Sequence, residues 1–303
     1  MVNFAEKNLN IISVGSKIVK LTQLAGAAAE LSKLRLASLV VLSAIFGYLI
    51  ANSEFNFSSF IGLLMGGTLV TAGANAFNQI IERATDAVML RTMKRPLPQN
   101  RLSTQAAVCI SIALTLGGFL ILYWQTNPYC ALLSVLSSAV YVFVYTPLKK
   151  KTPLAVIVGA IPGAAPPLLG WVAVKGFVGL EAVLLFFLQF LWQFPHFWAI
   201  AWRLHEDYAR AGIYLLPLRG GPSRENAMIV LVYTLLLIPG AVVPYVFGFY
   251  GLLSMAGILL LGVGFSLLAY WLVKNPEPKA ALYLLYGSFF YLPFMQLLWY
   301  LNV

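Results

Sequence analysis

Runs of about 20 apolar residues follow one another along most of this chain of 303 residues. Each run is long enough to cross the roughly 30 Å hydrocarbon core of a bilayer as a helix. Because lipid offers backbone amide and carbonyl groups no hydrogen-bond partners, such runs must be helical. Only 10% of the residues are charged, whereas a soluble domain has about a quarter. The sequence therefore predicts one all-α, polytopic membrane domain.

Nine transmembrane spans are predicted, and the positive charges lie almost entirely on one side of them. The spans cover about residues 35–53, 57–81, 103–124, 129–147, 154–174, 182–202, 226–248, 252–273 and 280–301. With the N-terminus in the cytoplasm, 19 of the 20 Lys and Arg residues fall on the cytoplasmic side, as the positive-inside rule predicts. Topology thus accounts for most of the net charge of +10, and the predicted partner is the lipid bilayer rather than nucleic acid.

Residues 1–33 are predicted to form a cytoplasmic segment ahead of the transmembrane domain, residues 34–303. Lysines interrupt the apolar residues of this segment, which argues against a cleaved signal peptide. A juxtamembrane amphipathic helix over about residues 15–33 fits the pattern better.

The end of the second span has a line of oxygen-bearing side chains. Asn78, Glu82 and Asp86 are spaced four apart, so on a helix they share one face over about 12 Å. Oxygen ligands without Cys or His suit a hard cation such as Mg²⁺ better than zinc. Arg91 and Arg95 follow, and guanidinium groups bind phosphate oxygens. The segment indicates a magnesium–diphosphate site, although a helix end with solvated polar residues would show the same spacing.

Two further polar segments lie at the same face of the membrane. Glu206, Asp207 and Arg210 follow the sixth span, and Lys149 and Lys150 follow the fourth. If spans two and six face each other, their acidic residues can bind one metal–diphosphate group between them. The two lysines fit such a ligand, but they are also what a topology anchor requires.

Three blocks of sequence resemble the UbiA-type intramembrane prenyltransferases, and within them the branch that acts on heme. The blocks are NQIIERATDAVMLRTMKRPLP (78–98), YTPLKKKTPLAVIVGAIPGAAPPLLGW (145–171) and FPHFWAIAWRLHEDYARAGIYLLP (194–217). The resemblance implies nine helices around a central cavity. It also implies that one acidic motif on the second helix and another after the sixth bind Mg²⁺ and a prenyl diphosphate.

The resemblance also implies roles for particular residues. By position, the metal ligands are Asn78, Glu82, Asp86, Glu206 and Asp207, and the diphosphate-binding residues are Arg91, Arg95, Lys149, Lys150 and Arg210. The sequence departs from the family at Glu82, where Asp is common, and at Arg203, where the second motif usually has its first Asp. The second motif therefore supplies fewer metal ligands than is usual.

Two residues of the spans are candidates for substrate contact. His196 lies about two turns inside the sixth span, where an ionisable side chain is costly and usually functional. Contact with heme, proton handling and a structural hydrogen bond are its alternative roles. Tyr145 belongs to an aromatic set that either packs in the core or stabilises an allylic cation through the ring faces.

The implied activity is transfer of a farnesyl group from farnesyl diphosphate to a vinyl group of protoheme IX. The implied location is the inner membrane of a bacterium, near a heme-handling partner such as heme A synthase or the terminal oxidase assembly. Two alternatives remain: a sister prenyltransferase acting on a quinone precursor or another aromatic acceptor, and a secondary transporter. A transporter predicts polar residues near the bilayer midplane, whereas here they lie at one end of the spans.

Overall fold

The computed structural model describes residues 26–51 and 54–302, and within them the fold is helical, without strands. Nine long helices run through these residues: α1 (Leu34–Ile50), α2 (Phe57–Ile81), α3 (Thr104–Gln125), α4 (Pro128–Leu148), α5 (Ala155–Lys175), α6 (Leu180–Arg203), α7 (Arg224–Val246), α8 (Leu252–Lys274) and α9 (Pro278–Leu301). Helices α2 to α9 have the length and hydropathy to cross a membrane, whereas α1 has 17 residues. The predicted all-α membrane fold is confirmed, and the helix ends agree with the predicted spans to within a few residues.

Polar side chains define where several helices begin. Asn56, Ser103, Asn127 and Ser223 each precede a helix and accept a hydrogen bond from the backbone N–H three residues ahead. Such a cap stabilises a helix by about 1 kcal/mol because it satisfies an N–H group without a partner in the helix. The caps explain why the spans begin at these residues within long apolar stretches.

The nine long helices of the described residues form a closed ring in which several members also contact one another across the ring. Each helix packs against the next in the chain, and α9 returns to pack against α1. In addition, α1 packs along α5 and α6 packs along α9. In the most apolar windows of α5 and α6, 61% and 56% of the residues are buried, the highest shares among the eight spans. Helices α5 and α6 therefore form the core, and the remaining helices present more surface to lipid.

A glutamine on α6 replaces a hydrogen bond that proline removes from α5. Residue Pro167 has no N–H, so the carbonyl of Gly163, four residues earlier, has no donor within its helix. The amide of Gln189 donates to this carbonyl at 2.8 Å, and Gln296 on α9 donates to Gln189 at 2.9 Å. This buried network joins α5, α6 and α9, and it explains how a proline-rich helix is tolerated at the centre of the bundle.

Glycines allow the backbones of α1 and α5 to approach closely, as small residues do between membrane helices. A Cβ atom added at Gly170 would overlap the carbonyl oxygen of Ala44, and one added at Gly47 would overlap that of Pro167. The segment 159–171 therefore packs directly against α1.

We expect Gly170→Val to destabilise the protein, because the new side chain must push α1 away from α5. Overpacking of this kind costs about 1–3 kcal/mol. The matched control is Gly117→Val in α3, where an added Cβ meets no atom within 4 Å. Thermal unfolding in detergent should show a lower midpoint for Gly170→Val alone. Equal midpoints for the two variants would contradict the close contact.

The segment ahead of α1 docks on the ends of α2 and α3. Residues 26–32 are helical. The amide of Gln79 donates to the carbonyl of Leu31 at 2.6 Å, and Arg101 forms an ion pair with Glu30 at 2.7 Å. The first part of the predicted helix over 15–33 lies outside the described residues, as does most of the predicted segment 1–33.

Candidate active site

The first acidic motif faces the interior, although the helix that holds it is interrupted. Helix α2 ends at Ile81, and a short helical turn follows at Arg83–Asp86. The backbone hydrogen bonds from Glu82 to Asn78 and from Asp86 to Glu82 keep the four-residue spacing. Asn78, Glu82 and Asp86 are 2%, 3% and 0% exposed. All three side chains therefore point into the protein, as the spacing predicts.

Each of the three side chains of this motif pairs with one neighbouring side chain. Asp86 forms an ion pair with Arg95, with 2.7 Å between the carboxylate oxygen and the guanidinium nitrogen. Glu82 forms an ion pair with Lys149 at the end of α4, and the amide of Asn78 donates to the hydroxyl of Thr146 at 3.1 Å. The end of α4 thus contributes to the same site as the end of α2.

Helix α4 reaches the motif through a π-helical stretch, residues Val140–Tyr145. A π-helix adds a residue to a turn and rotates the residues beyond it. Tyr145 stacks on Tyr141 with ring centroids 5.5 Å apart. The ammonium group of Lys149 lies 5.7 Å from the centroid of the Tyr145 ring. The stretch therefore ends in an aromatic pair beside the cation that pairs with Glu82.

Asp207 joins the two long loops of this face, the α2–α3 loop (82–103) and the α6–α7 loop (204–223). Its carboxylate accepts hydrogen bonds from the backbone N–H groups of Leu90 at 2.7 Å and Arg91 at 3.2 Å. The side chain of Arg210 also pairs with it at 3.2 Å. The second acidic motif therefore fixes the α2–α3 loop, which follows the first acidic motif in the chain.

The electrostatic surroundings of Tyr208 provide a second link between the two loops. Burial raises the pKa of the Tyr208 phenol, and the nearby Tyr145 raises it further, while Arg91 and Lys149 lower it. Glu82 is also within its electrostatic range. The α6–α7 loop thus lies within electrostatic range of the groups around the first motif, which agrees with the predicted meeting of the two segments.

Lys33 is a residue of this site that the sequence did not single out. Burial lowers its pKa to about 8, as do Arg95 and Lys149 nearby, whereas Glu82 and Asp86 raise it. Its backbone is left-handed, with φ of 46°. In the sequence, the position of Lys33 just before the first span indicates only a charge that sets topology. The basic residue before the first span was a signal, but the left-handed turn that directs it inward cannot be read from the pattern.

Four predicted site residues lie at the surface in this structure. They are Arg91, Lys150, Glu206 and Arg210. Arg91 contributes its backbone N–H to Asp207, whereas its neighbour Arg95 pairs with the buried Asp86. Glu206 is on the exposed side of its helical turn, whereas its neighbour Asp207 contacts the α2–α3 loop. His196 lies deeper in α6 and is half-buried.

The donor set of the first motif fits a magnesium ion. One oxygen of the Asp86 carboxylate is buried without a hydrogen-bond partner, while the other pairs with Arg95. Among residues 26–51 and 54–302, no group of three or more His, Cys, Asp or Glu side chains is arranged to hold a metal. Mg²⁺ is commonly bound through one or two carboxylates together with substrate phosphates. Two carboxylates beside several cations therefore suit a metal that arrives with a diphosphate.

The chain belongs to the UbiA prenyltransferase family. The sequence profile of that family matches residues 40–294. The resemblance predicted from the three sequence blocks is thereby confirmed, and the chain is a prenyltransferase of the membrane.

Within the family, the chain is similar to proteins that use heme as acceptor. It is 45% identical over 269 residues to the protoheme IX farnesyltransferase of Cytophaga hutchinsonii, which covers 88% of this chain and 94% of the relative. It is 43% identical over 278 residues to the protoheme IX farnesyltransferase of Christiangramia forsetii, covering 90% and 92%.

Solved structures share the fold at low sequence identity. A digeranylgeranylglyceryl phosphate synthase superposes with a TM-score of 0.76 at 20% identity, over 93% of this chain and 98% of that one. A UbiA homologue of Archaeoglobus fulgidus, bound to GPP and Mg²⁺, superposes with a TM-score of 0.65 at 14% identity, over 90% and 99%. These likenesses establish the UbiA-type fold.

Proposed function

We propose that this chain transfers the farnesyl group of farnesyl diphosphate to a vinyl group of protoheme IX, giving heme O and diphosphate. The observation that carries the proposal is 45% identity to a protoheme IX farnesyltransferase over 94% of that protein. The buried acidic motif with its basic partners supports the donor half of the reaction, because those groups suit a magnesium–diphosphate.

Asn78, Glu82 and Asp86 are the proposed metal ligands of the first motif. Asp207, the proposed ligand of the second motif, also holds the α2–α3 loop through Leu90 and Arg91. When bound, Mg²⁺ would neutralise charge that develops on the leaving diphosphate. The proposed diphosphate-binding cations are Lys33, Arg91, Arg95, Lys149, Lys150 and Arg210. Glu206 is the weakest of the ligand assignments, since it is exposed.

The basic residues act on the bond between the allylic carbon and the diphosphate oxygen. Their positive charge stabilises the diphosphate more strongly as it departs than when it is bound, which lowers the barrier. The ring faces of Tyr141 and Tyr145 suit the allylic cation that remains. The heme vinyl group then forms the new carbon–carbon bond, a water molecule adds as hydroxyl, and one proton is released.

The proposed location is the inner membrane of a bacterium, with the diphosphate site on the cytoplasmic side. The positive-inside rule supports this orientation, since the loops that form the site are rich in Lys and Arg. Both heme and the farnesylated product have large apolar faces, so transfer within the membrane to a heme-handling partner, such as heme A synthase or the terminal oxidase assembly, is part of the proposal.

An acceptor competition tests the proposed function. Purified protein receives farnesyl diphosphate, Mg²⁺, and equal amounts of protoheme IX and 4-hydroxybenzoate. Mass spectrometry should then find heme that has gained one farnesyl group and one water. Farnesylated 4-hydroxybenzoate with unmodified heme would contradict the proposal and favour a quinone-precursor acceptor.

The low pKa of Lys33 predicts a pH dependence for substrate binding. Below its pKa of about 8, the ammonium form attracts diphosphate; above it, the charge is lost. We therefore expect the KM for farnesyl diphosphate to rise above pH 8 in the wild type. In Lys33→Arg this rise should move to higher pH, because guanidinium stays charged. The control is Lys279→Arg, an exposed lysine. Identical profiles for Lys33→Arg and wild type would contradict the assignment.

A further inference from the structure

We infer that His196 is the axial ligand of the heme iron while protoheme IX is bound as acceptor. The inference rests on the proposed function and adds a residue that fixes the acceptor. His196 lies in α6, away from the paired carboxylates and cations of the diphosphate site. This role is supported by the tautomer of the ring, its free nitrogen, its fixed orientation and its location in the helix.

The hydrogen bonds around Ser288 on α9 define the tautomer. Its hydroxyl donates to the carbonyl of Leu285 at 2.6 Å. The same hydroxyl lies 2.7 Å from Nδ1 of His196. Since a serine hydroxyl has one proton, and Leu285 takes it, Nδ1 of His196 must donate its own proton to Ser288. The other ring nitrogen, Nε2, is therefore unprotonated and has a free lone pair.

Nε2 has no hydrogen-bond partner among the residues that the structure describes, and the side chain of His196 is half-buried. Nε2 is also not one of the fully buried polar atoms that lack a partner, so a ligand from outside the protein can reach it. A neutral imidazole whose Nδ1–H is fixed by a second residue and whose Nε2 is open is the arrangement of a metal-binding histidine.

The ring is also held in one orientation. Trp192, one turn earlier in α6, stacks on it with centroids 4.7 Å apart and an angle of 20° between the planes. The indole N–H of Trp192 donates to the backbone carbonyl of Ser288 at 2.9 Å. Both side chains are thus tied to the same residue of α9. A ligand held this way loses little side-chain entropy when it binds a metal.

The location suits a flat, apolar acceptor that arrives from the bilayer. The ring of Phe289 meets that of His196 edge to face at 5.3 Å, and Phe289 is 55% exposed on the outer surface of α9. His196 precedes the end of α6 at Arg203 by seven residues, which is about 10 Å along the axis. Iron bound there would lie within the membrane-spanning part of α6, at about this depth from the end that leads to the α6–α7 loop.

Heme titration without farnesyl diphosphate tests the inference directly. Ferric protoheme IX is added to purified wild type, His196→Gly and His205→Gly, and absorption and electron paramagnetic resonance spectra are recorded. We expect a nitrogen-ligated spectrum in wild type and in His205→Gly. His196→Gly should lose it, with heme affinity reduced at least about tenfold, and added imidazole should restore it. An unchanged spectrum in His196→Gly, or its loss in His205→Gly, would overturn the inference.

His196→Met keeps the test decisive if the glycine variant does not fold. A thioether ligand gives a spectrum distinct from that of imidazole, so a spectrum identical to wild type would also overturn the inference. Farnesyl transfer is measured on the same wild-type sample after Mg²⁺ and farnesyl diphosphate are added. Transfer to heme, together with a spectrum insensitive to His196, refutes the iron ligand alone. Absence of transfer refutes the proposed function, whatever the spectrum shows.

Discussion

Asp86→Asn is expected to lower kcat/KM for farnesyl diphosphate by roughly a thousandfold, or about 4 kcal/mol. Asp86 is fully buried, one carboxylate oxygen pairs with Arg95, and the other has no partner. Asparagine keeps the size of the side chain but removes the negative charge that a divalent cation requires. Steady-state rates at saturating heme would measure the effect.

Two further variants separate this effect from a general loss of structure. Asp86→Glu retains the charge and should retain more activity than Asp86→Asn. Glu277→Gln removes a carboxylate from an exposed residue next to α9 and should leave the rate unchanged. The unfolding midpoint of each variant shows whether it is folded. A folded Asp86→Asn protein with wild-type activity would exclude Asp86 from the metal site.

Asp207→Ala is expected to lower kcat/KM about a hundredfold or more. The carboxylate holds the backbone N–H groups of Leu90 and Arg91, and a hydrogen bond to a charged group contributes about 1.5–3 kcal/mol. Without it, the loop can shift and take Arg95 away from the diphosphate. A displacement of about 1 Å in a positioning group can cost a hundredfold in rate. The same steady-state assay measures this loss.

The neighbouring carboxylate is the matched control for Asp207. Glu206 lies in the same helical turn but is exposed, so Glu206→Ala should stay within a few-fold of wild type. Asp207→Asn keeps one acceptor oxygen and should fall between wild type and Asp207→Ala. If Glu206→Ala and Asp207→Ala lost equal activity, the metal role that the sequence gives to both residues would be favoured over a loop-bridging role for Asp207.

Spacing predicted much of the fold and part of the site. The apolar runs gave nine helices close to their observed bounds, because length and hydropathy are properties of each segment alone. The four-residue spacing of Asn78, Glu82 and Asp86 placed them on one face, and the structure buries all three. Adjacent residues on a helix differ by about 100° in direction, so only one of Glu206 and Asp207 can face the α2–α3 loop directly. The sequence does not say which side of the helix faces that loop, so it could not assign the contact to Asp207.

Other features depend on contacts that no local pattern encodes. Lys33 lies among the charges of the site for two reasons. Its own backbone is left-handed, which interrupts the helix before α1, and Gln79 holds that preceding helix in place. The π-helical stretch before Thr146 reads VYVFVY, and residues of these types are common in strands, so its composition does not predict a π-helix. The tautomer of His196 follows from Ser288, 92 residues away in the sequence. Such long-range pairs appear only when the helices are packed together.

Binding of farnesyl thiodiphosphate, an analogue that ionises poorly, measures directly whether the two loops form one magnesium–diphosphate site. Wild type and Glu277→Gln should bind the analogue tightly with Mg²⁺ and weakly when Mg²⁺ is chelated. Asp86→Asn and Asp207→Ala should bind it weakly in both conditions. Tight binding that does not depend on Mg²⁺ and is equal in all four proteins would contradict a magnesium–diphosphate site shared by the two loops.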